Sequence, residues 1–303
     1  MTSFLNWPFR SLQLSDQSDL EPFLKAHPQP LADYTFAMLA AFQSAFDYAW
    51  LQPEQETVLI SCTLEAGTER HLLQPVGKFS DEVFRKVVQE AALLSYPLRI
   101  LSVSAPFLAA HPVLSDFFAI HPFRDGDNYI YQAKDLATLA GRSFVRKRNL
   151  ISQANRLFAW TAEAVGPQNV DACLTVLNQV EQDEPHDLKK SLEREIAALK
   201  FTLSNFATLH QRGMLVRVQD RPVAFAIYET LGPETAAVHF ERALREYKGF
   251  YQVINKETAT AIVNEGLKLI NREEDIGDAG LRKAKMSYRP VRLDSCFWLE
   301  WRR

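Results

Sequence analysis

A chain of 303 residues with 47% hydrophobic residues, including 20 Phe, 9 Tyr and 5 Trp, has the length for two domains and the apolar material for packed cores, which excludes global disorder. Its net charge of −3 excludes general attraction to nucleic acid or an anionic membrane, so any polyanion must be met by a local patch. Cys62, Cys173 and Cys296 are odd in number, widely spaced and lack a histidine at zinc spacing, so reduced buried thiols and no metal are expected.

In chain order, Met1 to Arg10 shows no basic region leading into an apolar core, and a cytoplasmic location, with at most peripheral membrane contact, is expected. Leu12 to Ala26 reads as a helix. Asp33 is placed to cap an apolar helix from Tyr34 toward Phe46, and the apolar run to Leu51 is too interrupted by polar residues to span a membrane. Thr57 to Leu64 and Arg70 to Pro75 read as strands joined by a turn at Ala66-Gly67-Thr68. Ser80 caps a helix to about Ser95, Leu98 to Val103 is a strand, Pro106 to Phe118 a helix and Asn128 to Ala133 a strand.

A basic helix from Arg142 to Phe158 opens the second half, followed by helices over Val170 to Gln182 and Leu188 to Leu209. Strands follow at Leu215 to Val218, Val223 to Glu229 and Ala236 to Arg242, then a helix at Gln252 to Glu265 and a strand at Leu267 to Asn271. A short helix at Ala279 to Lys285 and a strand at Cys296 to Trp301 close the chain. The halves share one order of elements, which predicts an α/β (α+β) fold of two tandem units, each a mixed and mainly antiparallel sheet flanked by helices, with domains at 1–140 and 141–303. The late strand, strand, helix, strand, helix, strand order is that of the GNAT acyltransferase fold.

That fold binds the pyrophosphate of coenzyme A through glycine amides at a helix start. The corresponding place here is Glu246-Tyr247-Lys248-Gly249-Phe250-Tyr251, where Gly249 stands alone and Glu246 opposes a phosphate. The first half offers Pro75-Val76-Gly77-Lys78. A plain turn is the favoured reading of both, so coenzyme A or acyl-CoA remains one expected donor among others.

Two charged segments stand out. Gly141 to Asn149 continues to Arg156 without an acid; helical spacing puts Arg142, Arg146 and Asn149 near one face while Lys147 and Arg148 spread around it. Such a patch suits the phosphates of transfer RNA, coenzyme A or a lipid head group, or else pairs with the acids of 271–278. From Asn271 to Pro290, Gly277 and Gly280 interrupt helix-forming sequence among densely packed charges. Glu273, Glu274 and Asp275 precede Arg282, Lys283 and Lys285, a pattern fitted either to a ligand with a cationic and an anionic end or to an internal ion-pair network.

His239-Phe240-Glu241-Arg242-Ala243, Gly249 to Asn255, Ile270 to Gly277, Gly280 to Tyr288 and the Gly141 to Asn149 helix together resemble a bacterial family related to the C-terminal domain of phosphatidylglycerol lysyltransferase. That family is similar to tandem GNAT proteins and to the Fem-type aminoacyl transferases that use charged transfer RNA. The resemblance implies transfer of an acyl or aminoacyl group to an amine or hydroxyl of a small molecule or lipid head group.

Such a transfer needs a positioned acceptor, a proton acceptor and donors for a developing oxyanion. Glu241 is the first candidate for general base and His239, on the same side of its strand, the second; an ion pair of Glu241 with Arg242 is the structural alternative. Asn255 and Asn271 are candidates to orient a carbonyl, Arg272 and the three later cations to meet phosphate, and Tyr288 to stack on a base or bond an acceptor. The seven histidines fall in no local triad motif, and no H-E-x-x-H or carboxylate cluster calls for a metal. A non-catalytic ligand-binding protein on the same fold is the second functional reading. A sequence-specific DNA reader is not expected, because the basic residues concentrate on one helix.

Overall fold

The computed structural model describes residues 2–64, 67–183 and 186–302. The first half runs β1 (Thr2–Phe4), β2 (Trp7–Ser11), α1 (Gln17–Ala26), α2 (Phe36–Ala41), α3 (Gln43–Phe46) and β3 (Ala49–Glu54). It continues through β4 (Thr57–Thr63), β5 (Arg70–Leu73), β6 (Val76–Gly77), α4 (Asp81–Ala91), β7 (Arg99–Ser104), α5 (Ala105–Ala110), α6 (Leu114–Phe117) and β8 (Phe118–Pro122). The second half begins β9 (Asn128–Gln132), α7 (Ala133–Thr138), α8 (Val145–Leu157), β10 (Trp160–Ala164), α9 (Val170–Asp183) and α10 (His186–Ser204). Then come β11 (Arg212–Val218), β12 (Arg221–Gly232), β13 (Thr235–Ala243), α11 (Phe250–Asn264), β14 (Leu269–Asn271), α12 (Ala279–Met286), β15 (Arg292–Asp294) and β16 (Cys296–Trp301).

Capping chemistry sets several of these boundaries. Ser80 Oγ accepts from Val83 N at 3.2 Å and starts α4 as the sequence predicts. Thr35, and not Asp33, caps α2 by accepting from Met38 N at 3.2 Å. The helix expected from Tyr34 to Phe46 is two short pieces, and the apolar run then turns into strand β3. The expected Pro106 to Phe118 helix is likewise divided, with Pro112 between α5 and α6. The expected turn at residues 66–68 lies partly outside the described residues.

The chain divides into two units, one of Met1–Asn128, Glu274–Gly277 and Asp294–Arg303, the other of Tyr129–Glu273 and Asp278–Leu293. This differs from a single boundary at 140/141, and strand pairing supplies the reason. β9 pairs antiparallel with β14, so residues from 129 onward belong to the second sheet. β16 pairs antiparallel with both β7 and β8, so the C-terminal strand completes the first.

The first sheet orders β1-β2-β3-β4-β5-β7-β16-β8, with β6 against β4. Phe9, Leu59, Leu72, Ile100, Val103, Phe118 and Leu299 bury their side chains in its core together with Val83 and Val87 of α4. The second sheet orders β10-β11-β12-β13-β14-β9-β15. β12 is buried continuously from Val223 to Tyr228 because α9 and α11 pack against it. Phe225, Phe240 and Phe250 are almost wholly buried there, each worth about 1.5–3 kcal/mol against exposure.

Each sheet contains a short parallel junction. In the second unit, β13 and β14 pair only from Thr235 with Leu269 to Ala237 with Asn271, while β13 runs on to Ala243. In the first unit, β5 and β7 pair at Leu72 with Ile100 and Leu73 with Leu101. Strands that part after so few pairs leave a wedge between them, and the contents of the two wedges differ.

Candidate functional site

The first unit's wedge is filled by its own side chains. Gln74, 1% exposed, follows β5 directly; its Oε1 accepts from Ser104 N at 2.8 Å and Ser104 Oγ at 2.9 Å. Its Nε2 donates to Gln29 at 2.6 Å, and its backbone N–H donates to the Tyr34 hydroxyl at 2.9 Å. These buried polar groups are satisfied within the chain, as stability requires. The neighbouring Gly77 serves packing: with φ +84°, a Cβ there would lie 2.2 Å from the Glu56 carbonyl. The Pro75 to Lys78 loop is therefore a close turn against the β4 hairpin.

The second wedge is polar and only partly satisfied. On β13, Phe240 is buried in the core, and His239, which the pairing with β12 skips between Phe240 and Val238, is buried beside it. Glu241 Oε1 accepts from Arg272 Nη2 at 3.1 Å and Oε2 from Asn255 Nδ2 at 3.2 Å, so the pair bridges β13 and the residue following β14. Three atoms on these elements are buried without a hydrogen-bond partner among the described residues: Arg272 Nη1, Asn255 Oδ1 and, one helical turn beyond Asn255 on the same face of α11, Thr258 Oγ1. Buried polar groups of this kind carry a cost unless something meets them.

Aromatic rings and a second cation complete the cluster. The Arg272 guanidinium carbon lies 5.1 Å from the Tyr288 ring centroid and 5.9 Å from that of Tyr131. Lys147 Nζ, reaching in from α8, lies 4.0 Å from the Tyr288 centroid and 2.7 Å from Ser287 Oγ. The ring's negative face is attractive to both cations. Burial pushes the Tyr288 hydroxyl up to about 12, against the opposing pull of Arg272.

His239 takes a different part from the one expected of it. Its Nδ1 lies 2.6 Å from Glu273 Oε1 and its Nε2 2.8 Å from Glu229 Oε1. Burial alone would lower its pKa, but the Glu273 charge and the hydrogen bonds to both carboxylates outweigh burial and raise it to about 10. Both nitrogens donate, so this imidazolium offers no lone pair to a substrate proton. His239 instead fixes Glu273, whose backbone has φ +57° and whose N–H donates to Asn271 Oδ1 at 2.7 Å. Asn271 thereby shapes the turn after β14, and Arg272 N–H donates to the Tyr129 carbonyl at 3.0 Å.

The other expected site residues separate into two groups. Glu241, Asn255, Arg272, Tyr288 and Lys147 converge. Arg242 pairs with Glu195 at 2.7 Å and its Nη1 donates to the Glu241 backbone carbonyl at 3.0 Å, while the Glu241 carboxylate turns to Arg272. Arg148 donates to the carbonyls of Leu139 and Gly141 and so holds the end of α7. Lys285 Nζ donates to the Arg272 carbonyl. Asp275, wholly buried, pairs with Arg124 at 3.4 Å within the first unit. Arg146, Asn149 and Lys283 are exposed, and Arg282 is partly so. Gly249 has φ +96°, and a Cβ there would stand 2.5 Å from the Leu150 carbonyl, so this glycine allows α11 to start against α8. Tyr131, Thr258 and Ser287 escaped the sequence reading because single polar residues at helix and strand positions carry no pattern. Among the described residues no cluster of metal-ligating side chains occurs, and no helix is long and apolar enough to cross a membrane.

A model of the family described as phosphatidylglycerol lysyltransferase, C-terminal, matches residues 27–299. The chain belongs to this family. Its fold is similar to that of a conserved protein of unknown function from Bacteroides thetaiotaomicron, 28% identical over 97% of this chain and 99% of the other, with a TM-score of 0.89. L-PGS from Bacillus licheniformis is 14% identical over 95% of this chain and 92% of its own, with a TM-score of 0.65. FemX is 11% identical over 97% of both chains, with a TM-score of 0.60. The last two likenesses show the fold alone, which is that of Fem-type and tandem GNAT proteins. The chain spans about half the length of the curated relative it matches, an uncharacterised protein of Mycoplasmoides gallisepticum 23% identical over 175 residues, which make up 52% of that relative. The family to which the chain belongs is thus described by a lysyltransferase, an aminoacyl-transferring enzyme.

Proposed function

We propose that the second unit transfers an aminoacyl group from aminoacyl-tRNA to an amine or hydroxyl acceptor, a lipid head group being one such acceptor, with the β13/β14 wedge as the reaction site. The single observation that carries this reading is the Glu241–Arg272 pair spanning the wedge beside three unpartnered buried atoms. Arg272 Nη1 can only donate, Asn255 Oδ1 can only accept and Thr258 Oγ1 can do either. A simple acyl thioester presents a carbonyl acceptor and no donor. An aminoacyl ester presents both, its carbonyl suited to Arg272 and its amino group to Asn255 and Glu241.

Three further observations support this reading over acyl-CoA. At the α11 start, Gly249 packs against α8, and the neighbouring Glu246 pairs with Arg221 at 2.9 Å, so an acid already sits where a pyrophosphate would lie. The outer face of α8 carries exposed Arg146, Asn149 and Arg156, with Arg142 just ahead, and its cations have no ion pair among the described residues. Such a row suits a phosphodiester backbone. The inner face of the same helix contributes Lys147 to the wedge.

In the reaction, the acceptor nitrogen or oxygen bonds to the acyl carbon and the ester C–O bond to the donor's ribose breaks. Arg272 donates to the carbonyl oxygen as negative charge develops there, in a site largely closed to water. Glu241 and Asn255 hold the amino group and so fix the acyl carbon. The test uses total tRNA charged with a mixture of 14C-labelled amino acids, offered with phosphatidylglycerol vesicles, ethanolamine or glycerol, beside 14C-acetyl-CoA with the same acceptors. Label moving from tRNA to an acceptor supports the reading. Transfer from acetyl-CoA alone contradicts the donor, and saturable binding without transfer favours a ligand-binding protein.

A further inference from the structure

Aminolysis or transesterification of an ester releases a proton from the acceptor and consumes one at the departing oxygen. Within the wedge, few groups have a lone pair to offer. His239 has both nitrogens committed to carboxylates. Glu241 has one oxygen on Arg272 and the other on Asn255, and the proposed reaction uses it to hold the donor's amino group.

Lys147 is placed differently. It projects from α8 toward Ser287 and Tyr288, which follow α12, and is half-buried there. Among the described residues no carboxylate lies within ion-pair distance of it, in contrast to most of the fold's part-buried cations. Ser287 Oγ accepts from Lys147 Nζ at 2.7 Å while donating its own hydrogen to the Ala284 carbonyl at 2.6 Å. The serine hydrogen therefore has a fixed acceptor and the serine positions the amine. The titratable and charged groups acting on Lys147 are Arg272 after β14, Glu241 on β13 and the Tyr288 ring. Burial first, and then the Arg272 charge, lower the pKa of Lys147, with Glu241 acting in the opposite sense. A lysine in this setting gives up its proton more readily than a surface lysine.

We propose that Lys147 is the proton carrier of the transfer. Its neutral Nζ takes the proton from the acceptor N–H or O–H as the acceptor bonds to the acyl carbon. The resulting ammonium returns that proton to the ribose oxygen as the ester C–O bond breaks, so no proton is gained or lost over the cycle. The proposal rests on the aminoacyl-transfer reading of the same wedge. It assigns Lys147 chemistry where its neighbours on α8 hold phosphates.

The test combines a direct titration with kinetics on the full chain. Reductive methylation with 13C-formaldehyde labels every lysine, and the Lys147 signal is the one missing from K147R and K147M. Its titration midpoint is expected below that of exposed Lys134; a midpoint equal to Lys134 overturns the proposal. In the 14C-aminoacyl-tRNA assay, K147R keeps the charge but cannot carry the proton, and is expected to lower kcat by about 100-fold or more with KM within about threefold. Methylamine is expected to restore part of the activity of K147A, and the acid limb of the wild-type pH–rate profile is expected at the NMR midpoint. Near-wild-type kcat in K147R overturns the proton-carrier role while leaving the transferase reading intact, because it shows that charge alone suffices. Absence of transfer from any donor in the wild-type chain removes both readings. Should both lysine variants fail to fold, coincidence or separation of the wild-type pH limb and the lysine signal that titrates below the others decides the matter.

Discussion

Glu241 and Arg272 meet at 3.1 Å where β13 and β14 part, each side chain 13% exposed. Removing one partner leaves a largely buried charge facing its former site, which costs about 3–5 kcal/mol. R272M is therefore expected to lower the second unit's stability by about that amount, and E241Q by less because its amide oxygen still accepts from Arg272. Urea unfolding of the two single variants and the double variant measures the coupling. A coupling energy near zero contradicts the pairing.

Thr258 gives an opposite sign for stability and function. Its buried hydroxyl has no partner among the described residues, so T258V, nearly equal in shape, is expected to stabilise the chain by about 1 kcal/mol. The same change removes a group that the proposed donor meets, and transfer from aminoacyl-tRNA is expected to weaken. Thermal unfolding and the transfer assay on one preparation check both signs.

Two histidines set opposite pH limits, one in each unit. His239 has its pKa raised from 6.5 to about 10, so its stabilisation is full below pH 6.5 and is lost as pH rises through about 10; its upper bound is about 5 kcal/mol. His71 is lowered to about 4 by burial first and by Arg99 second, and Arg99 N–H donates to its Nδ1 at 3.2 Å. Its contribution is full above pH 6.5 and falls between 6.5 and about 4. Hydrogen exchange across pH is expected to show alkaline loosening in β12 and β13 and acid loosening in β5 and β7. In H239Q the alkaline limb is expected to vanish.

Gly249 tests a packing role against a phosphate-binding one. G249A forces φ +96° on an alanine and brings Cβ to 2.5 Å from the Leu150 carbonyl, so a loss of about 2–4 kcal/mol is expected. Coenzyme A is expected to leave the melting temperature of wild type unchanged. A coenzyme A-dependent rise in wild type that G249A abolishes contradicts the packing role.

Much of the fold was readable because local chemistry and global packing agree. Ser80 at a helix start and the long apolar strands β11 to β13 read correctly from pattern. β1 to β3, β10 and β15 were missed because they are short or polar strands without a repeating apolar pattern, even where, as at Phe4 and Trp7 of β1 and β2, the pairing is a tight hairpin. The exchange of β9 and β16 between sheets was invisible because their partners, β14 for the one and β7 and β8 for the other, lie far away in sequence. At the site, strand parity grouped His239 with Glu241 but could show neither the irregular register at His239 nor the two carboxylates that clasp it. The charged segment 271–290 mixes both expected readings: Arg272 faces the wedge, whereas Asp275 holds Arg124. Composition cannot separate these, because ion pairs and ligand sites draw on the same residues.

The most direct measurement is a crystal structure of the full chain with a non-hydrolysable 3′-aminoacylamino-adenosine, the terminus of an aminoacyl-tRNA with its ester replaced by an amide. The expected result is the amide carbonyl within hydrogen-bond distance of Arg272 Nη1 and the amino group against Asn255 Oδ1 and Glu241. Density for the analogue away from Glu241 and Arg272, or in the first unit alone, contradicts the account.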